Sequence, residues 1–483
     1  MKTIVIIGGG FCGTMTAVNL ARFARRPARI AIVNHRRPLG RGTAYGTRHP
    51  EHLLNVAARN MSALADQPDN FIEWLRCRSE FGDVPEAELR ETFVPRTIYG
   101  DYLRSLSFGY FHPIDERGPA VIDACQVEAV DVESHQGGGL LVSLADGQLI
   151  EADHVVLATG NQPPAPLAGL PRDFDHPAYV ADPWSDWESR LPERAENQDI
   201  VLLGAGLTMV DALITLLSRN WQGNMIAVSR SGMLPSAHFR GIDYRDFPPP
   251  DPESLGLAAL VELIEEHCRL LRQRDANPAI AVDRLRPHTQ RIWKNFSLDE
   301  KREFLGIYAA RWNATRHRIP RSIHDRVSQA IADGRLRVVR GAIDAVEGCG
   351  AGVRVLFHAE GGRRDSLAAA LAINCTGPQA RFSTTGVQLF QNLLQRGLVR
   401  PDPLDMGIDV DEDLAVIGRD GGASRCLFAL GPLLKGTLWE TTAVPELRGQ
   451  AMQLARVLLA DEASEGDDRR FQMREEAVIE YYI

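Results

Sequence analysis

One local arrangement occurs twice in this chain and constrains its fold more than any other feature. Residues 3–7, Thr-Ile-Val-Ile-Ile, form a largely β-branched run that stops at Gly8-Gly9-Gly10-Phe11-Cys12-Gly13, and a helical pattern follows from Thr14 to Arg25. Residues 200–203, Ile-Val-Leu-Leu, stop at Gly204-Ala205-Gly206, and a helical pattern runs from Leu207 to Ser218. A second apolar run follows each helix, Arg29 to Val33 in the first copy and Met225 to Val228 in the second. A short buried strand feeding a glycine turn and a helix is the opening of a βαβ unit, whose strands lie parallel under covering helices. The copies begin about 200 residues apart, so a duplicated plan organises the chain.

The later parts of the copies also correspond. Residues 120–160 read as short alternating strands broken at Gly137-Gly138-Gly139 and Asp146-Gly147, closing with Val155-Val156-Leu157-Ala158-Thr159-Gly160. Residues 336–377 repeat this, with breaks at 348–352 and Gly361-Gly362, and close with Leu371-Ala372-Ile373-Asn374-Cys375-Thr376-Gly377. Proline-rich connectors follow the first Thr-Gly and occupy residues 247–252; the second opens a helical insert reaching about residue 333. The predicted fold is α/β, with two Rossmann-like dinucleotide-binding domains, the second inserted in the first, and a helical insert. The first domain spans 1–165 and 371–483; the second spans 166–370, with the insert at about 247–333. A length of 483 residues suits such an arrangement.

Composition excludes several classes. Hydrophobic residues make up 44% and charged residues 24%, which is ordinary for a globular chain. A formal charge of −9 lacks the basic excess of a general nucleic-acid binder. The N-terminal apolar run is too short for a signal peptide, and no stretch approaches the ~20 apolar residues of a membrane helix. Seven scattered cysteines form no C-x-x-C pair and no zinc spacing, so no metal site is expected. They fit reduced thiols in a cytoplasmic protein. Self-association as a homo-oligomer is left open.

The glycine loops indicate the ligand. Gly8, Gly10 and Gly13 have the G-x-G-x-x-G spacing directly after a strand, where helix N–H groups meet a pyrophosphate. The acidic residue that usually holds a ribose hydroxyl is replaced by Asn34, which hydrogen-bonds without charge. In the second loop, Gly204 and Gly206 are followed by Thr208, and Met209 takes the third glycine position, predicting a looser helix–strand contact. The next strand ends in Ser229-Arg230-Ser231, a set suited to a 2′-phosphate, which favours NADPH over NADH. A solvated surface arginine is the alternative for Arg230.

At this point the sequence resembles the bacterial FAD/NAD(P)-binding flavoproteins with two dinucleotide-binding domains, related to N-hydroxylating class B flavin monooxygenases. The similar segments are Gly8–Gly13, Gly40-Arg41-Gly42-Thr43-Ala44-Tyr45, Leu53-Leu54-Asn55-Val56 through Met61, and Pro95-Arg96 with Tyr99 and Tyr102. Both Thr-Gly closures, Trp312-Asn313, Arg316-His317-Arg318-Ile319-Pro320, Gly431-Pro432 and residues 439–450 complete the set. The resemblance implies FAD in the first unit and NADPH in the second. It implies flavin contacts from Gly8, Gly10, Phe11, Cys12, Gly13, Asn34, Arg41, Asn55, Met61, Arg96, Thr159, Gly160, Gly431 and Thr437. Asn55 and Arg96 are the expected catalytic residues. It further implies that the N-terminus of a helix after Thr441 faces the pyrimidine end of the flavin, where charge develops on reduction.

The activity expected from the resemblance is NADPH-dependent reduction of FAD followed by reaction with molecular oxygen. A C4a-hydroperoxyflavin would then N-hydroxylate a small-molecule substrate, an amino acid or amine. Arg240, Arg316, Arg318 and Arg321 are candidate carboxylate contacts for an acidic, aspartate-type substrate. A solvated corner or an NADPH phosphate contact is the alternative for the 316–321 cluster. Without a cysteine pair, a disulfide-relay reductase is disfavoured. An NAD(P)H-dependent flavin reductase or oxidase without oxygen insertion, and a flavin-containing binding module, remain as other classes.

Overall fold

The computed structural model describes residues 1–35, 37–111, 119–167, 170, 174–192, 198–239, 244 and 247–460. The first part of the chain supplies β1 (Lys2–Ile7), β2 (Ala28–Val33), β3 (Ala120–Cys125), β4 (Ala129–Ser134), β5 (Leu140–Leu144), β6 (Leu149–Ala152) and β7 (His154–Leu157). The middle supplies β8 (Tyr179–Val180), β9 (Ile200–Leu203), β10 (Met225–Ser229), β11 (Leu336–Cys349), β12 (Gly352–Ala359), β13 (Arg364–Ala369) and β14 (Leu371–Asn374). The end adds β15 (Ala415–Ile417) and β16 (Ala423–Ala429).

These strands form two main sheets and a small third. The first sheet has the order β15-β16-β7-β1-β2-β3, the second β13-β12-β11-β10-β9-β14-β8, and β4-β5-β6 make an antiparallel meander. Their centres are parallel: β1 pairs with β2 on one side and β7 on the other, and β9 sits likewise between β10 and β14. Ile4, Val5 and Ile6, like Ile200 to Leu203, have no exposed surface, because helices cover both sheet faces. Helices Phe11–Phe23, Arg96–Phe111 and Val444–Leu458 carry the first core, and Leu207–Ser218 and Arg321–Ala332 the second. The two-unit α/β plan is therefore the observed fold.

Two boundaries fall elsewhere than the sequence suggests. The return to the first unit at residue 371 comes later, because β14 is hydrogen-bonded on both sides within the second sheet. The helical insert also stops short of residue 333. Parallel β10 and β11 need a crossover, and helix Arg321–Ala332 supplies it, packing Ile323, Val327 and Ala330 into the second core. The separate helical layer runs from Leu257 to Arg316, around its own core of Leu257, Leu260, Leu285, Trp293, Phe296 and their neighbours. Among the described residues no helix is long and apolar enough to cross a membrane.

Candidate active site

The two glycine loops repeat each other at atomic detail. Gly8 leaves β1 at φ +114°, and a side chain there would meet the Ala158 carbonyl oxygen at 2.4 Å. Gly204 leaves β9 at φ +120°, and its Cβ would lie 2.5 Å from the Cys375 carbonyl oxygen. Each is a left-handed residue pressed on the end of a neighbouring strand, which only glycine allows. Gly13 has a packing role too, since a Cβ would fall 1.9 Å from Gly8 O. Gly10 differs: its nearest neighbour on that side is Gly42 Cα at 3.6 Å, and Gly206 has nothing within 4 Å. Both cap the following helix in extended conformation without a side-chain cap, so free N–H groups face open space.

Around the first loop, several expected ligand residues brace the protein. Asn34 accepts a hydrogen bond from the Gly9 N–H at 3.2 Å and donates to the Arg37 carbonyl at 2.5 Å, holding the loop against β2. Arg41 pairs with Asp101. Phe11, Cys12 and Met61 are buried in the first core, and burial pushes the Cys12 thiol up to about 12. Thr159 is exposed, and Gly160 has open space beside its Cβ direction. In the second unit Thr208 is half-buried, whereas Met209 has no exposed surface. Met209 thus fills the helix–strand contact rather than loosening it. Ser229 accepts from the Gly232 N–H at 3.0 Å and Ser231 from the Met233 N–H at 3.2 Å, shaping a turn that leaves Arg230 exposed.

The seam between the units holds the main surprise. Arg96 makes a fork-to-fork pair with Asp211 of helix Leu207–Ser218, at 2.8 and 3.2 Å, and its Nε donates to the Leu53 carbonyl at 3.0 Å. Its guanidinium therefore clamps the first unit to the second. In this structure Arg96 makes a seam contact. His52 reaches the same helix, with Nε2 3.0 Å from Thr215 Oγ1 and 3.1 Å from the Asp211 carbonyl. His238 Nε2 donates to the Asn55 carbonyl at 2.8 Å, and burial, reinforced by Arg318, pushes this imidazole down to about 4. Asn55, Leu53 and Arg96 line a narrow cleft with Leu207 and Asp211. Asp211 had a signal in the sequence: it is the one charged residue in Leu207–Ser218.

The closing segment 431–441 ties the first loop to the helical layer. Gly431, at φ +81°, packs on the Cys12 sulfur, which a Cβ would approach to 2.8 Å; its N–H donates to Gln450 and its carbonyl accepts from Thr441. Thr437 Oγ1 is buried without a partner among the described residues. Trp439 holds φ 57°, strained for a bulky residue, and its indole lies in the helical core. Next to it Glu440 accepts from Trp312 Nε1 at 3.3 Å and meets Arg316 at 3.5 Å. Burial pushes the Glu440 carboxyl up, but Arg316, His317 and Arg286 outweigh it and hold the group below the usual carboxylate range.

Two of the candidate substrate arginines already have carboxylate partners. Arg316 is paired with Glu440, and Arg318 with both oxygens of Asp283 at 2.5 and 2.6 Å while lying over the Phe239 ring. Arg321 is exposed at the start of its helix, because the Ile323 and Val327 side of that helix is the buried one. Arg240 lies outside the described residues. Asp283 carries no motif, Glu440 lies in the family-like stretch 439–450, and the charge run 316–318 gave no hint of either as a partner.

Comparison with known proteins follows the same division. Residues 5–162 match the model of a family described as FAD-NAD(P)-binding. An uncharacterized protein of Mycobacterium tuberculosis is 24% identical, with 95% of each chain covered. Ornithine N-hydroxylase of Kutzneria sp. 744 superposes with a TM-score of 0.65 at 14% identity, covering 95% of this chain and 99% of that one. L-lysine 6-monooxygenase from Pseudomonas syringae gives 0.61 at 16% identity, covering 96% and 99%. Residues 5–162 are thus similar to an FAD-NAD(P)-binding family, and the chain shares its fold with the ornithine N-hydroxylase and the L-lysine 6-monooxygenase.

Proposed function

We propose that the protein is an FAD- and NADPH-dependent monooxygenase that N-hydroxylates a small amine. One observation carries the reading: two matching strand–glycine–helix loops, each with open space before an uncapped helix N-terminus at its second glycine. That space is what a pyrophosphate needs, and one chain with two such places suits two dinucleotides. The first loop, with Gly10 at its mouth and the buried, unpartnered Thr437 hydroxyl on the closing segment, fits FAD. The second, with exposed Arg230 beside Ser229 and Ser231, fits the 2′-phosphate of NADPH.

Bound FAD supplies hydride acceptance and oxygen activation. The chain's own residues orient and exclude water. Asn34 fixes the first loop through the Gly9 N–H, and Arg96 with Asp211 fixes the second unit's helix against the first. The N-terminus of helix Val444–Leu458, held by its packing on helix Phe11–Phe23, offers its dipole to negative charge developing nearby. All seven cysteines are free, and burial raises the Cys12 and Cys375 thiols that flank the two loops. Neither is suited to electron relay as a thiolate. This favours oxygen chemistry over disulfide exchange.

Purified protein should show a bound-flavin spectrum that NADPH bleaches under argon. Under air it should convert an amine to its N-oxygenated product with sub-stoichiometric peroxide. Peroxide equal to NADPH consumed with every amine tried would replace this reading with a reductase or oxidase.

A further inference from the structure

The helical layer lines a partly open pocket of about 250 Å³ that the cofactor loops do not use. Its walls are Leu260, Ile292, Phe296 and the indoles of Trp293, Trp312 and Trp439. Three of the polar groups along them are engaged within the protein. Thr289 Oγ1 donates to the Leu285 carbonyl at 3.1 Å, Trp293 Nε1 to the Gly436 carbonyl at 2.8 Å, and Trp312 Nε1 to Glu440 at 3.3 Å. A ligand there meets mostly hydrocarbon and ring faces. Charge appears at the rim, where Glu265 and Arg311 face each other at 3.5 Å and exposed Arg272 adds a second cation.

Two segments of the pocket's wall continue along the chain to residues on the cofactor side. Trp439 is in its wall, and Gly431, eight residues earlier on the same segment, packs on Cys12 of the first glycine loop. Ser236 is in the wall too, two residues before His238, which holds the Asn55 carbonyl at the seam. By contrast, the buried arginines that an acidic substrate would require are neutralised by Glu440 and Asp283. Pairing Arg316 with a second carboxylate would strand Glu440, which is already buried.

We infer that this pocket is the substrate chamber and that the substrate is an amine with an aromatic or aliphatic body, its nitrogen toward the Trp439 wall, rather than an acidic amino acid. The inference rests on the monooxygenase reading for its chemistry, but the chamber's selectivity stands apart from it. An apolar cavity of about 150 Å³ is known to take benzene, so 250 Å³ accommodates a ring with a short side chain.

The test uses the three wall tryptophans as reporters in the flavin-loaded protein. Intrinsic fluorescence is titrated with phenethylamine and with L-aspartate, and N-oxygenated product is sought by mass spectrometry. Phenethylamine should saturate the signal at a concentration at least tenfold lower than aspartate. Val261→Trp, which fills the pocket from helix Leu257–Gln273, should raise the phenethylamine half-saturation at least tenfold while NADPH still reduces the flavin at the wild-type rate. Ile264→Ala, which enlarges the pocket without adding bulk, should shift preference toward a naphthyl amine, and it serves if the tryptophan variant does not fold. Tighter aspartate binding, or phenethylamine binding indifferent to both variants, overturns the inference. Protein that NADPH cannot reduce would instead overturn the monooxygenase reading, and the fluorescence titration would still decide the chamber.

Discussion

At the residue scale, the first loop separates glycines that the fold requires from the one a ligand requires. Gly13 has a backbone oxygen 1.9 Å from where its Cβ would sit, while Gly10 faces room. Gly13→Ala should therefore force helix Phe11–Phe23 off β1, lowering the melting temperature even of flavin-free protein. Gly10→Val should leave flavin-free protein melting within a few degrees of wild type yet abolish flavin retention. Equal loss of stability in both would mean that Gly10 is also a packing residue. Arg230 invites a sharper test, being exposed on a turn shaped by two serine hydroxyls. A charge-assisted contact contributes about 1.5–3 kcal/mol. Arg230→Ala should thus raise the NADPH concentration for half-maximal flavin reduction tenfold or more and leave NADH unchanged. Equal effects on both nucleotides would remove the 2′-phosphate contact.

At the element scale, the seam contact between helices Arg96–Phe111 and Leu207–Ser218 is the pair most exposed to mutation. Arg96 and Asp211 side chains are only 10% and 14% exposed, so removing one strands the other's charge. Arg96→Ala should cost about 3–5 kcal/mol in urea unfolding, while the double variant Arg96→Leu/Asp211→Leu should recover most of it. Additive losses in the double variant would show that the two residues act separately. What was legible in the sequence follows from the same distinction. Strand–glycine–helix units announce themselves because buried parallel strands are continuous apolar runs and because glycines sit where carbonyls press. The end of the helical layer was not legible, since the crossover helix Arg321–Ala332 has the same amphipathic period as the insert helices before it. Nor were the partners of the arginines. Arg96, Arg316 and Arg318 read as ligand-binding because a local window shows the cation without Asp211, Glu440 or Asp283, which lie 115, 124 and 35 residues away. Asn34 has a bracing role, through the Gly9 N–H and the Arg37 carbonyl, that local sequence does not reveal.

At the scale of the whole molecule, the units are joined through histidines that the protein keeps uncharged. His52 of the first unit contacts Thr215 and the Asp211 carbonyl of the second, and His238 contacts the Asn55 carbonyl in return. Burial lowers the His52 imidazole; burial and then Arg318 push His238 to about 4; burial and then Arg316 lower His317 in the helical layer. The unfolded chain protonates these groups near the ordinary value of about 6.5. Between roughly pH 6.5 and 4 the unfolded state therefore binds more protons than the native one, and stability rises with pH across that window. Read downward, acidification from pH 7 toward 5 should lower the melting temperature progressively, before most carboxylates titrate. Charging His238 would add a cation beside Arg318, so docking of the two units should loosen before their cores melt. His238→Gln, which retains an N–H for the Asn55 carbonyl without titrating, should flatten part of the pH dependence and leave stability at pH 8 within about 1 kcal/mol of wild type. Calorimetric scans at half-unit intervals would decide it. A melting temperature constant from pH 7 to 5 would show that the seam does not depend on neutral histidines, and an unchanged slope in His238→Gln would assign the effect to His52 and His317.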